Sequence, residues 1–331
     1  MKLLTIREEN VLRAAVLCGH EVLDLSRAGD VVSDARLLPT SLKLILAGGA
    51  PMLDTLRAVI GAAAQAPAQD ALRAAGALRA FADVTLAPVI PDADIVLCGS
   101  MNSRGHLAEM GDSAPDMPVG FLKVRGTLIG SGQPILCPPD NGDMVDWEGE
   151  FCVVIGSPCY RVAEADAMDY VAGYTLMNDV SAREFVMPYV RAKERLEVTG
   201  AWERNVLGKN FPTFCPLGPV LLTKDEVPLA FNYLLETVVN GQVVQSSTPE
   251  DLIFSIPEMI AYFSVFYHFQ PGDVISLGSP PGVGMMMKPQ KFLRPGDVVE
   301  VREPHIGSLV STVALAQPQT SRETRRTKEV V

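Results

Sequence analysis

The stretch DWEGEFCVVIG, residues 146–156, places Glu148 and Glu150 two positions apart at the mouth of an unbroken apolar run. In a strand, positions i and i+2 share a face, so the two carboxylates lie side by side, with Trp147, Gly149 and Phe151 opposite. Like charges this close raise each other's pKa unless a cation sits between them. A hard divalent ion answers the problem, because Mg2+, Mn2+ and Ca2+ all favour carboxylate oxygens. Such an ion calls for a third carboxylate, and Asp179, at the end of the apolar run in AGYTLMNDVSAR, is the candidate. An E-x-E pair is more often a solvated strand face than a ligand set. Here FCVVIG reads as buried on both faces, which favours the metal.

Outward from this run the chain is rich in short β-like segments: DIVLCGS, VAGYTLMNDV, PVLLT, LETVVNGQVVQ, DVISLG and DVVEVRE. Turn signals such as NGQ and PGD separate them, and one helix-like segment, PEDLIFSIPEMIAYFSVF, interrupts the series. The pattern predicts a strand-dominated domain with a few helices over residues 91–315, organised as an α+β fold or rolled β-sandwich. The first 90 residues read as a small N-terminal α/β domain. Alternating runs over the first 30 predict a small antiparallel sheet, and an Ala- and Leu-rich helical stretch follows. Residues 316–331 are polar and without periodicity, as in a solvated tail.

Composition narrows the function. The 331 residues are 48% hydrophobic and 20% charged, an ordinary globular balance, and the formal net charge of −11 opposes binding to nucleic acid or anionic membrane. No apolar run reaches the roughly 20 residues of a membrane-spanning helix. The opening MKLLTIREEN meets charged residues too early for a signal-peptide core, so cytoplasmic is the default expectation. Six cysteines without C-x-x-C spacing read as free or buried thiols. There is no phosphate loop, nucleophile elbow or dinucleotide-binding turn in its proper context.

A second constellation is His106 and Glu109 in GSMNSRGHLAEMGD. On a helical turn, residues three apart share a face, and a carboxylate beside an imidazole orients it and raises its basicity. A solvated helix with an incidental histidine is the commoner origin of such a pattern.

Taken in order, MNSRGHLAEMG, FLKVRGTLIGSGQPI, DWEGEFCVVIG, YVAGYTLMNDVSAR, GKNFPTFCPLGP, VNGQVVQ, PGDVISLGSPPGVG and FLRPGDVVEV resemble the fumarylacetoacetate hydrolase superfamily over residues 95–313. The resemblance implies the family's mixed β-roll, a homodimer and a divalent metal, Mg2+ or Mn2+ (Ca2+ in some crystals). It assigns Glu148, Glu150 and Asp179 to the metal, His106 and Glu109 to a catalytic dyad on a lid, and Lys209 to the substrate carbonyl or its oxyanion. Arg183, Lys123 and the loop carrying Gly278 and Ser279 fall at the substrate. The implied reaction is hydrolysis of a carbon–carbon bond in an acylpyruvate-like 1,3-diketo or 2-oxo acid, as in aromatic-compound catabolism. The alternative on the same metal site is isomerisation or decarboxylation of a 2-hydroxydienoate or an oxaloacetate-like diacid, and a binding protein that has lost catalysis is a further rival. Two departures stand out. Residues 187–205 lengthen the segment between Asp179 and Lys209, either as a loop or short helix that brings Arg191, Arg195 or Trp202 near the pocket mouth or as a surface insertion. Leu277 and Ser279 stand where many members carry threonine.

Overall fold

The structure, a computed structural model, describes residues 1–188, 192–226 and 232–317. Among these, one long sheet runs Leu78–Ala80, Glu21–Asp24, Val11–Cys18, Lys2–Glu8, Cys215–Thr223, Val171–Asn178, Gly149–Ile155, Val274–Ser276, Val96–Ser100, Val119–Leu122. A five-stranded sheet runs Gln242–Ser247, Leu235–Val239, Val298–Glu303, Gly307–Leu315, Ile135–Cys137. Most neighbours are antiparallel, but Val274–Ser276 runs parallel to Val96–Ser100 and Gly307–Leu315 parallel to Ile135–Cys137, so both sheets are mixed. The strand-dominated α+β class expected from the sequence is the one observed.

The glutamate-bearing strand Gly149–Ile155 is buried along its whole length. Cys152 and Val154 face a core shared with Leu3, Val16 and Leu221, which is covered by the helices Leu42–Ala47 and Gly49–Ala63 through Leu42, Ile45, Leu56 and Val59. Phe151, Val153 and Ile155 face a second core, shared with Leu235, Val301 and Leu309 of the five-stranded sheet and with Ile256 and Ile260 of the helix Ile256–Phe263. Apolar residues on both faces are what a central strand between two covering layers requires. The first 90 residues contribute four strands of the long sheet's main path, and Lys2 and Leu3 pair with Leu222 and Leu221 of the strand Cys215–Thr223. Most of the polar tail lies outside the described residues.

Gly149 shows why the carboxylates are separated by the smallest residue. A Cβ there would lie 2.0 Å from Thr237 Oγ1 and 3.2 Å from both Val301 methyls, so the facing sheet leaves no room. Gly149→Ala should therefore destabilise the fold by about 1–3 kcal/mol through overpacking. Urea titration checks this; an unchanged midpoint would show that the two sheets are less closely packed at this point.

Candidate active site

The hydrogen-bonded ladder between Gly149–Ile155 and Val171–Asn178 ends at the pair Gly149–Asn178. Just beyond it, the Asp179 N–H donates to the Glu148 carbonyl at 2.8 Å, and the Glu148 N–H donates to Asn178 Oδ1 at 3.0 Å. These bonds set Glu148 and Asp179 opposite each other at the strand ends. Glu150 lies inside the ladder, opposite Met177.

Three cations converge on the carboxylates. The Lys209 ammonium donates to Glu148 Oε2 at 2.8 Å, to Asp179 Oδ2 at 2.7 Å and to the Ser181 hydroxyl at 2.8 Å. It also lies 5.1 Å from the centre of the Phe121 ring. Lys123 donates to Asp179 Oδ1 at 2.5 Å and to the Lys209 carbonyl. Arg183 donates from Nε to Asp146 Oδ2 at 2.8 Å and pairs with Glu148 Oε1 at 2.5 Å. Lys209, expected at the substrate carbonyl or its oxyanion, and Lys123 and Arg183, expected at the substrate, are thus all drawn onto protein carboxylates. The helix Arg195–Gly208, formed from much of the unusually long segment, delivers Lys209 at its C-terminus. Its Gly208 packs so closely on Phe185 that a Cβ would lie 2.7 Å from the Phe185 Cβ. Arg195 and Trp202 lie in this helix, while Arg191 falls outside the described residues.

Burial alone would push Glu148 upward, but Lys209 and Arg183 outweigh it and hold the group well below the ordinary carboxylate range. Glu150 moves the other way. Burial raises it, Asp179 and Glu148 raise it further, and the hydrogen bond from Ser276 does not compensate, so it lies well above the usual value. Among the described residues, no ion pair joins Glu150. Lys209 is raised, because the attraction of Asp179 and Glu148 exceeds the cost of burial.

The ligand atoms of Glu150, Asp179 and Cys98 lie within 4.8 Å of one another. Glu148 stands one step aside, joined to Asp179 through Lys209. Burial and the neighbouring carboxylates raise the Cys98 thiol well above its usual value, so it reads as the wall of the site. What remains is an oxygen donor set with one carboxylate lacking a cationic partner, and this fits a hard divalent ion.

His106 and Glu109 share the helix Arg104–Met110, which Ser103 caps by accepting the His106 N–H at 2.9 Å. His106 Nδ1 lies 3.3 Å from Glu109 Oε2, and the imidazole is near enough to Glu148 to help hold it low. The Gly282 N–H donates to both Glu109 oxygens, at 3.0 and 3.1 Å, so the helix is closed onto the loop Gly278–Gly284. Within that loop the Ser279 hydroxyl is held, accepting from Gln245 Nε2 at 3.1 Å and donating to the Pro280 carbonyl at 3.3 Å. Gly278 takes a positive φ of 92°, and a Cβ there would lie 3.1 Å from the Gly99 carbonyl oxygen, so only glycine suits the turn.

Sequence reasoning missed Asp146, Gln245 and Ser276. Gln245 accepts the Gly149 N–H at 2.9 Å while donating to Ser279, tying the glutamate strand to the loop. All three lie inside quoted motifs, but the bonds that tie them to the site include ones to partners distant in sequence, which no spacing reveals.

Residues 95–314 match the family model described as fumarylacetoacetate (FAA) hydrolase C-terminal. Oxaloacetate tautomerase Fahd2a, mitochondrial, of Rattus norvegicus is 37% identical over 253 residues, covering 76% of this chain and 77% of its own length. Oxaloacetate tautomerase YisK of Bacillus subtilis (strain 168) is 35% identical over 229 residues, 69% of this chain and 72% of its own. The solved structure of maleylpyruvate hydrolase from Sphingobium sp. SYK-6, in complex with manganese(II) ion and pyruvate, matches with a TM-score of 0.68 at 25% identity, over 96% of this chain and 100% of that one. Fold and site together define an enzyme built around a buried acidic cluster compatible with a divalent metal. The chain belongs to the fumarylacetoacetate hydrolase family.

The opposite shifts of Glu148 and Glu150 make a prediction with a definite sign. Folding raises Glu150, so its contribution to metal-free stability is greatest below the ordinary glutamate range and is lost as pH rises toward its folded value. Folding lowers Glu148, so its contribution is present above that range and is lost as pH falls. At neutral pH, metal-free Glu150→Gln should melt higher than the parent. It should also lose the stabilisation by Mn2+, which in the parent reaches about 2.7 kcal/mol at a hundredfold excess over Kd. Thermal unfolding with and without Mn2+ checks both; a variant retaining the metal-dependent rise would remove Glu150 from the ligand set.

Proposed function

We propose that the protein is an oxaloacetate tautomerase, interconverting the keto and enol forms of oxaloacetate or a closely similar 2-oxo diacid. The two tautomerase relatives support this reading over carbon–carbon hydrolysis. The observation that carries it in the site is the engagement of Glu109, whose two oxygens accept the Gly282 N–H while one faces the His106 ring. A carboxylate held in this way orients an imidazole and leaves His106 as the group that moves the proton. One oriented histidine moves one proton, which is what tautomerisation requires.

Charge accounting supports an acidic substrate. Asp146, Glu148, Glu150 and Asp179 are four buried carboxylates facing three buried cations, Lys123, Arg183 and Lys209. A divalent ion added to this set leaves one positive charge for an anionic ligand. Glu148, Glu150 and Asp179 would hold Mg2+ or Mn2+, and the bound ion would supply Lewis acidity at a 2-oxo carbonyl. With Nδ1 turned to Glu109, His106 presents Nε2 to carry the proton between the substrate's C3 and its enol oxygen. Lys123 and Lys209 hold Asp179 and Glu148 in place, and the closed helix and loop exclude bulk water.

Hydrolysis of an acylpyruvate stands as the second reading, supported by the maleylpyruvate hydrolase structure. Spectroscopic decay of freshly dissolved enol oxaloacetate, coupled to a reductase specific for the keto form, separates the two. The tautomerase reading expects metal-dependent acceleration with the carbon skeleton intact. Pyruvate and a carboxylic acid released from acylpyruvates, without that acceleration, would overturn it. His106→Ala should lower kcat about 100-fold or more while the metal-induced rise in melting temperature persists. Full activity in this variant would remove His106 from the mechanism.

A further inference from the structure

Asp146 is fully buried and serves four N–H donors with two oxygens. Its Oδ1 accepts from the Trp147 N–H at 2.9 Å and the Gly284 N–H at 2.7 Å. Its Oδ2 accepts from the Met285 N–H at 3.0 Å and Arg183 Nε at 2.8 Å. Arg183 in turn pairs with Glu148. On the loop side, Gly284 and Met285 follow Gly282, whose N–H seats Glu109 and whose carbonyl accepts from Trp147 Nε1 at 3.1 Å. The connection is therefore continuous: Glu148, Arg183, Asp146, the main chain of residues 282–285, Glu109 and His106.

We propose that Asp146 is a positioning residue that fixes the His106–Glu109 pair relative to the carboxylate cluster by holding the 282–285 loop. It touches neither substrate nor reacting atoms and acts through the loop and through Arg183. The inference rests on reading His106 as the proton carrier. An ionised carboxylate offers acceptors only, which is what four converging N–H groups need. Asparagine at this position sets an amide N–H against Met285 or Arg183, removes the charge opposite Arg183, and lets the loop and the Glu109 seat shift. A misplacement of about 1 Å in a reacting geometry costs on the order of 100-fold in rate.

The experiment uses the full-length Mg2+-saturated protein in three versions: Asp146→Asn, Met285→Pro and the double variant. Met285→Pro removes one loop N–H and leaves Asp146 intact, in a short 3-10 turn that suits the φ of proline. The primary readout is the imidazole nitrogen and proton spectrum of His106, assigned by its loss in His106→Ala, which reports ring tautomer and titration whatever the reaction proves to be. Each single variant should move the His106 resonances and lower the rate on oxaloacetate roughly 10- to 100-fold. The Mg2+-induced rise in melting temperature should persist, and the double variant should be no slower than the slower single one. Met285→Pro carries the test alone if Asp146→Asn does not fold. Unmoved His106 resonances, multiplying rate losses, or lost Mg2+ binding without change at His106 would overturn the proposal. If oxaloacetate is not turned over but the His106 resonances still move, the tautomerase reading fails and the positioning role stands.

Discussion

Four carboxylates buried against three cations create the constraint on which the rest of this structure depends. Moving an ionised group out of water costs several kcal/mol even after the protein relaxes, and attraction to a partner offsets this only where the geometry is good. Asp146, Glu148 and Asp179 meet that condition through Arg183, Lys209 and Lys123, at distances between 2.5 and 2.8 Å. Glu150 has the Ser276 hydroxyl instead. The imbalance falls on one residue, beside Asp179.

The fold explains how such a cluster is tolerated. Glu148 and Asp179 sit just beyond the last paired residues of adjacent strands, so their main-chain groups are satisfied by each other and by Asn178 without interrupting the ladder. Lys209 arrives from the end of a helix and Lys123 from beyond an edge strand, so each lysine stem crosses apolar packing before its ammonium reaches a carboxylate. Gly149 lets the second sheet close over the site from behind. Core packing and site geometry are thus the same set of contacts.

Much of this was legible in the sequence, for identifiable reasons. Two glutamates at the mouth of an apolar run conflict with simple burial, and that conflict pointed to the buried acidic cluster. The period-two runs and turn dipeptides gave the strand-dominated class. The direction of Lys123 and Arg183 was not legible, because a basic residue near a metal site reads equally well as a substrate ligand or a counter-ion to a protein carboxylate. Asp146 and Gln245 were hidden for another reason: these partners are main-chain N–H and C=O groups between 35 and 139 residues away in sequence, and a main-chain group leaves no mark on residue identity. The loop serine departs from the threonine of many members. Its hydroxyl proves to bridge Gln245 and Pro280, a structural contact that serine and threonine can both make.

The same constraint bears on how one family supports several reactions. A buried cluster that gains an ion and then an anionic 2-oxo acid stabilises developing negative charge on the substrate, and that requirement is common to tautomerisation, decarboxylation and carbon–carbon cleavage. What separates them is whether a water can be placed and deprotonated above the substrate. Away from the carboxylate cluster, the helix carrying His106 and Glu109 is seated on the loop. Here Glu109 is clamped by the Gly282 N–H, and the helix start is pinned by Asp251, which accepts the Gly105 N–H at 2.8 Å. The loop contact thus fixes where the His106 imidazole sits relative to the carboxylate cluster, whichever proton it moves.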